Sequence, residues 1–309
     1  MPNYFVINNP SAGNGVHSNI VINIKKTPNI AAWHDTDYAG HAIYLAKKLA
    51  KTIDDPTAVV LVIGGDGTLN EVLNGLLQFK RAVKLPIAYI PTGSGNDFAR
   101  GINLGTAEQA FSHLKRVTQT QLLNIGKING DAPHHITKYF VNSIGIGFDA
   151  AVVAQTNQTA LKRRLNKLGC GSLSYLLSVL CVFFKQHDFQ MTLMNGEDYI
   201  QMPHAFLVTL TNQVYFGGGI AILPGADVHQ NELDMVVADK MSFIQFLVMF
   251  ASLKKNGGHL QFKSVHKISL ARGAKIHVRD IQPGQIDGEE LGNGTFSFNI
   301  DYQTYPFWL

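Results

Sequence analysis

The run Val60-Leu61-Val62-Ile63-Gly64-Gly65-Asp66-Gly67-Thr68-Leu69-Asn70 admits few folds. Its first half continues an aliphatic stretch from Ala58, the texture of a strand covered on both faces of a parallel sheet. Its second half opens a helix, because Leu69, Val72, Leu73, Leu76 and Leu77 recur at helical spacing. Two further apolar runs, Tyr4 to Asn8 and Pro86 to Ile90, end in Gly- or Asn-rich turns and predict more strands of the same sheet. Ala39, Ala42, Ile43, Ala46, Leu49 and Ala50 predict a helix between them. Thr106-Ala107-Glu108-Gln109 reads as a capping box, opening a helix that buries Ala107, Ala110, Phe111 and Leu114. This half is therefore α/β, with helices covering a sheet.

From about Gln121 the texture changes. Short β-prone runs appear at Tyr139 to Val141, Phe206 to Leu210, Met235 to Val237 and Phe296 to Ile300. Asn129-Gly130, Asn195-Gly196 and Pro224-Gly225 read as the turns between them. Helical segments are expected near 160–186 and 241–256. The reading is an α/β nucleotide-binding domain over 1–124 and a mostly antiparallel β domain with inserted helices over 125–300. The tail, about 301–309, is expected to return to the first domain.

With 46% hydrophobic residues the chain can bury two ordinary cores, which argues against disorder. A net charge of +4 is too mild for a nucleic-acid signature but suits an anionic partner such as a nucleotide or acidic membrane. Cys170 and Cys181 lack metal-ligand spacing, and the N-terminus lacks a basic region and cleavage signal, so a reducing cytoplasm is expected. The apolar stretches Leu173 to Phe184 and Phe243 to Leu253 are shorter than the roughly 20 residues a spanning helix needs.

The Gly64 to Thr68 turn has a chemical logic. Glycines let backbone approach phosphate oxygens and present N–H groups to them, and the helix start adds partial positive charge. No Lys follows the glycines, so this is not a P-loop. Asp66 alone would repel an anion, which implies Mg²⁺ held directly or through water. A tight strand-to-helix turn is the plain alternative. Two other segments, Asn8-Asn9-Pro10-Ser11-Ala12-Gly13 and Pro91-Thr92-Gly93-Ser94-Gly95-Asn96-Asp97-Phe98-Ala99-Arg100, end strands in the same way. Such turns collect on one sheet edge, where α/β folds bind ligands.

These motifs, with Asn142-Ser143-Ile144-Gly145-Ile146-Gly147-Phe148-Asp149-Ala150, Gly217-Gly218-Gly219 and Asp287-Gly288-Glu289, resemble the diacylglycerol kinase catalytic-domain family of lipid kinases. The first glycine motif is shared with NAD kinases and phosphofructokinases, whereas Asn96 to Arg100 points to the lipid branch. The resemblance implies an N-terminal nucleotide domain, a C-terminal β-sandwich and a cleft between them. It implies ATP contacts from Asn9, Pro10, Ser11, Ala12, Gly13, Thr36, Gly64, Gly65, Asp66, Gly67, Thr68, Leu69, Asn70 and Ser94, with Asn96 and Asp97 near the phosphates. Thr36 is open to a plainer role as a helix N-cap. Asp287 and Glu289 become the general-base pair, one orienting the other, although Asp-Gly is also an ordinary hairpin turn. Arg100 is expected to pair with Asp97 or face the cleft. Two departures stand out. Asn124 and Gln230 occupy positions where relatives often carry Asp, which puts a second, structural Mg²⁺ in doubt.

The implied activity is transfer of the ATP γ-phosphoryl group to diacylglycerol or a related lipid alcohol. An NAD kinase-like soluble-metabolite kinase and a nucleotide-binding regulator with little activity are the alternatives. The expected partner is lipid at the inner membrane face, with no nucleic acid, and a homodimer stays open. Lys162, Arg163, Arg164 and Lys167 before the Leu173 to Phe184 stretch suit a helix lying on anionic lipid. Packing of that stretch on the β domain is the plainer reading.

Overall fold

The computed structural model describes residues 2–15, 18–158, 179–253 and 257–309. The chain divides into two compact units, the first comprising Met1–Ile125, Asp227–Asn231 and Gln303–Leu309, and the second Gly126–Ala226 and Glu232–Tyr302. The sequence reading had assigned residues 227–231 to the β domain. They sit instead with the first unit, where Val228 O accepts the Asn124 N–H at 2.7 Å.

In the first unit β1 (Asn3–Asn8), β2 (Ile30–Asp35), β3 (Ala58–Gly64) and β4 (Ile87–Pro91) form a parallel sheet in the order β2-β1-β3-β4. Every residue of β3 and β4 is buried, as expected of strands with helices on both faces. The covering helices are α1 (Ser18–Lys25), α2 (His41–Thr52), α3 (Asp66–Leu77), α4 (Asp97–Gly101) and α5 (Ala107–Leu114). The reciprocal capping box forms at α5, with Thr106 and Gln109 exchanging side-chain and backbone bonds. The end of the chain adds a further parallel strand, Phe307 pairing with Ile87 of β4.

One helix start departs from the sequence reading. Thr36 does not cap α2. Gly40 does, in the left-handed conformation at φ 87°, and it offers no side chain. The α2 N-terminus is closed from outside, because the Glu71 carboxylate of α3 accepts the N–H groups of Gly40 and Ala42 at 2.8 and 3.2 Å. That stitches the two helices that follow β2 and β3.

Strand β5 (Gln121–Asp131) begins in the first unit and ends in the second. The second unit continues with β6 (His135–Phe140), β7 (Ser143–Gly147), α6 (Phe148–Gln158), β8 (Phe189–Asn195), β9 (Asp198–Thr211), the two-residue strands β10 (Tyr215–Phe216) and β11 (Ile220–Ala221), β12 (Asp234–Asp239), α7 (Phe243–Ser252), β13 (Val265–Ser269), β14 (Ala274–Ile286) and β15 (Glu289–Phe307). Pairing is antiparallel along β13-β12-β9-β7-β14, with β8 also bridging β9 and β14. Gly196 and Glu197 make the β8–β9 turn, one residue on from the Asn195-Gly196 read from the sequence, since Asn195 pairs with Asp198. Asn129-Gly130, read from the sequence as a turn, lies inside β5, and its reversal comes after Asp131. Gly130 there tolerates φ 145°, so the dipeptide signals an irregular strand and not a hairpin.

Two apolar clusters fill the second unit. One joins Phe140, Ile144, Ile146, Met191, Val208, Val278 and Phe296 between the strands. The other gathers Phe148, Val179, Val182, Phe183, Phe206, Phe246 and Met249. Val179, Val182 and Phe183 thus pack inward, while the rest of the Leu173 to Phe184 stretch before Val179, and Lys162, Arg163, Arg164, Lys167 and Cys170, lie outside the described residues.

Candidate functional site

In the first unit the glycine turns after β3 and β4 touch backbone to backbone. A Cβ on Gly93 would stand 2.6 Å from the Gly65 Cα, and one on Gly65 would stand 3.2 Å from the Gly93 Cα. Neither position tolerates a side chain without moving main chain. Gly64 is constrained differently, since its Cβ would meet the Thr68 Cβ at 2.6 Å. The parallel register places Gly64 beside Pro91, and the Thr92 N–H donates to Gly64 O at 2.8 Å, so both turns leave the sheet at one level.

Side chains fasten the three turns together. Asn9, just past β1, donates its Nδ2 to Thr68 Oγ1 at 2.9 Å and accepts the Ser11 N–H on Oδ1. Asn8 donates to the Asp35 carboxylate at 2.7 Å, and Asn8 O accepts the Thr36 N–H. Thr36 therefore lies at the β1–β2 edge beside the Asn8 turn. Asn96, left-handed at φ 53°, closes its own loop by accepting the Gly93 N–H and donating to Gly93 O at 2.8 Å. Ser94 is exposed at the tip of that loop, as are Pro10 and Ser11 in theirs.

Asp66 faces the start of α4. Its Oδ2 accepts the Asp97 N–H at 2.8 Å and its Oδ1 the Phe98 N–H at 3.3 Å. The sequence reading inferred a bound cation because Asp66 alone would repel phosphate. The structure supplies another compensation, two helix-terminal amides and their partial positive charge. Asp97 is buried and meets Arg100 at 3.1 Å, one of the two placements the sequence left open. Burial, with Asp66 and Asp97 adding negative charge, pushes the Tyr89 hydroxyl well above its ordinary range. Leu69 belongs to the core, fully buried, so only its main chain is available to a ligand. Asn70 is buried too, and its carbonyl and side-chain oxygens accept from the Asn74 amide at 2.9 and 3.1 Å.

Among the described residues no group of three or more His, Cys, Asp or Glu is arranged to hold a metal ion. Of the acids in these loops, Asp66 meets main-chain amides and Asp97 meets Arg100. Near Gln230, Asp227 is an exposed carboxylate that takes the His229 N–H at 2.9 Å and lies 3.5 Å from Gln230 Nε2.

In the second unit Asp287-Gly288 is a two-residue hairpin turn joining β14 to β15, with positive φ at both residues (47° and 84°). Asp287 is buried and its carboxylate accepts the backbone N–H groups of Val141, Asn142 and Ser143 at 2.8, 2.8 and 2.9 Å. It anchors the turn to the loop before β7. Glu289 is exposed at the first position of β15. The two acids that sequence left interchangeable thus have opposite environments.

A third acid, not singled out in the sequence, is linked to this turn. Asp149, in the first turn of α6, is buried and accepts the Ala150 N–H at 2.8 Å and the Gln285 amide at 3.1 Å. Burial pushes its carboxyl up to about 7, opposed by those hydrogen bonds. Gln285 in turn accepts the Gly288 N–H at 2.9 Å, so one amide side chain links Asp149 to the Asp287-Gly288 turn. The signal available in sequence was an Asp opening a helix directly after a Gly-rich strand, a perturbed-carboxylate setting visible only once burial is known.

Comparison with known proteins places the chain. Residues 3–128 match the diacylglycerol kinase catalytic domain, and residues 142–304 match the YegS C-terminal NAD kinase beta sandwich-like domain. YtlR of Bacillus subtilis, a lipid kinase in name, is 28% identical over 307 residues, 96% of each chain. The diacylglycerol kinase of the same organism is 26% identical over 298 residues, 93% of this chain and 89% of that one. A solved Bacillus anthracis structure shares the fold with a TM-score of 0.75 at 20% identity, covering 99% of this chain and 94% of that one.

Proposed function

The chain belongs to the diacylglycerol kinase catalytic-domain family of lipid kinases, and on that premise we propose that it transfers the γ-phosphoryl group of ATP to the hydroxyl of diacylglycerol or a related lipid alcohol. The observation that carries the nucleotide half of this reading is the backbone contact between Gly65 and Gly93. Two side-chain-free turns at the C-terminal ends of adjacent parallel strands, one opening the 12-residue α3, form an anion cradle. The lipid half is supported by relatives named for lipid or diacylglycerol phosphorylation.

In the proposed reaction Asn9, Gly64 to Thr68 and Ser94 hold the phosphates, largely through main-chain N–H groups. Thr36 and Asn70 line the same loops. A divalent cation bound with ATP would screen the phosphate charge, and Asp66 would be the residue to meet its water shell. Asn96 and Asp97 fix the loop that opposes Gly65. Glu289 takes the proton of the acceptor hydroxyl as its oxygen bonds to the γ-phosphorus and the β–γ bridging bond breaks, releasing ADP. Asp287 positions Glu289 by anchoring the turn, since its own oxygens are engaged with three amides. The test is transfer of radiolabel from γ-labelled ATP to a panel of lipid alcohols in mixed micelles, with NAD as the soluble comparison. Label in a lipid that disappears in Glu289→Gln supports the reading. Label in NAD alone would replace it with the soluble-metabolite kinase.

A further inference from the structure

Helix α7, Phe243-Ile244-Gln245-Phe246-Leu247-Val248-Met249-Phe250-Ala251-Ser252, carries no charged residue. Its inner side is anchored by Phe246 and Met249, with Phe246 against the rings of Phe148 and Phe183 at 5.4 and 4.5 Å. The opposite side should be polar if it faced only water. It is Ile244, Leu247, Val248 and Ala251, one helical stripe, with Ile244 75%, Leu247 43% and Val248 56% exposed. Phe184, 68% exposed, extends the stripe through its ring contact with Phe243 at 5.0 Å. A contiguous open patch of this kind marks an interaction surface.

Charge selects the occupant. Phe184 belongs to segment 150–187 and α7 to segment 240–279. Together these segments hold thirteen of the chain's 26 Lys and Arg and none of its 22 Asp and Glu. In the sequence the positive charge is thus concentrated in these two segments, and among the described residues Lys185 directly follows Phe184 while Lys240 donates to Phe183 O at 3.1 Å. A second copy of the chain seated here would bring like charges together, whereas an anionic bilayer offers both hydrocarbon and neutralisation. Resting on the lipid-kinase reading, we infer that Phe184, Ile244, Leu247 and Val248 enter the headgroup–acyl boundary of an anionic membrane and seat the second unit on the bilayer that carries the acceptor.

The test is co-sedimentation of the full chain with phosphatidylglycerol-rich and with neutral phosphatidylcholine vesicles, using wild type and the double variant Ile244→Asp, Val248→Asp. Burial of these side chains in the interface predicts at least about tenfold weaker binding of the variant to the anionic vesicles. Wild type should bind neutral vesicles less tightly than anionic ones. Should the Asp variant not fold by thermal melting, Ile244→Ser, Val248→Ser serves in its place. Equal binding by variant and wild type, or wild type that does not sediment with anionic vesicles, would overturn the inference. So would a variant that loses only self-association or capture of a protein partner. Activity separates this from the functional reading. The variant should lose phosphorylation of vesicle-borne diacylglycerol and keep that of a short-chain, water-soluble diacylglycerol. A wild type that binds the vesicles but labels neither lipid would sink the kinase reading and leave the docking face standing.

Discussion

The Asp66 carboxylate accepts the backbone N–H of Asp97 at 2.8 Å, so the acid of one glycine turn closes the helix opened by the next. Removing it should loosen both turns at once. Asp66→Ala is expected to cost about 1 to 2 kcal/mol, the range for losing an N-cap acceptor, and to weaken ATP binding. Urea unfolding together with calorimetric titration of ATP measures both. Asp66→Asn keeps one acceptor oxygen and should fall between Ala and wild type in stability.

Gly93 tests the cradle. Gly93→Ala places a methyl 2.6 Å from the Gly65 Cα, a main-chain atom that cannot rotate away. The prediction is loss of stability of about 1 to 3 kcal/mol and loss of detectable ATP binding. Gly40→Ala is a fitting control. Its Cβ meets nothing within 4 Å, so that variant should carry only the strain of its left-handed backbone and keep ATP binding.

Much of the first unit was legible in the sequence because each signal was local. The all-buried β3 and β4, the capping box at Thr106 and the glycine turns each follow from a few adjacent residues. What escaped depended on partners far along the chain. Thr36 looked like a cap until Glu71, on another helix, proved to satisfy the α2 amides. Asp287 and Glu289 looked alike until Val141, Asn142 and Ser143 turned their N–H groups onto the first of them. Nor did the sequence show that the Asp66 carboxylate meets the amides of Asp97 and Phe98. Asp149 could not be singled out, because its partner Gln285 lies 136 residues further along the chain.

Asp149 gives a pH prediction. Its folded carboxyl sits at about 7 against 3.8 unfolded, held up mainly by burial. Below the unfolded value both states are protonated and nothing is lost. As pH rises towards 7 the unfolded chain releases the proton first, so stability falls across that window and stays lower above it. Asp149→Asn removes this loss. Its melting temperature relative to wild type should rise between pH 4 and pH 8, and a flat difference across that range would contradict the assignment. Any constant offset from a rearranged Gln285 amide cancels in the comparison.

The two acids of the hairpin should separate cleanly. Asp287→Ala strands three buried amides and is expected to destabilise by several kcal/mol, about 1 to 3 for each group left unsatisfied, as measured by urea unfolding. Glu289→Gln changes an exposed side chain and should leave unfolding within about 0.5 kcal/mol of wild type.

Turnover of Glu289→Gln is the most direct test of the central claim. With γ-labelled ATP and diacylglycerol in mixed micelles, wild type should label the lipid. The folded Glu289→Gln variant should bind ATP as wild type does yet transfer about 10² to 10⁴-fold more slowly. Transfer at the wild-type rate by that variant, or no label in any lipid with wild type, would contradict the account.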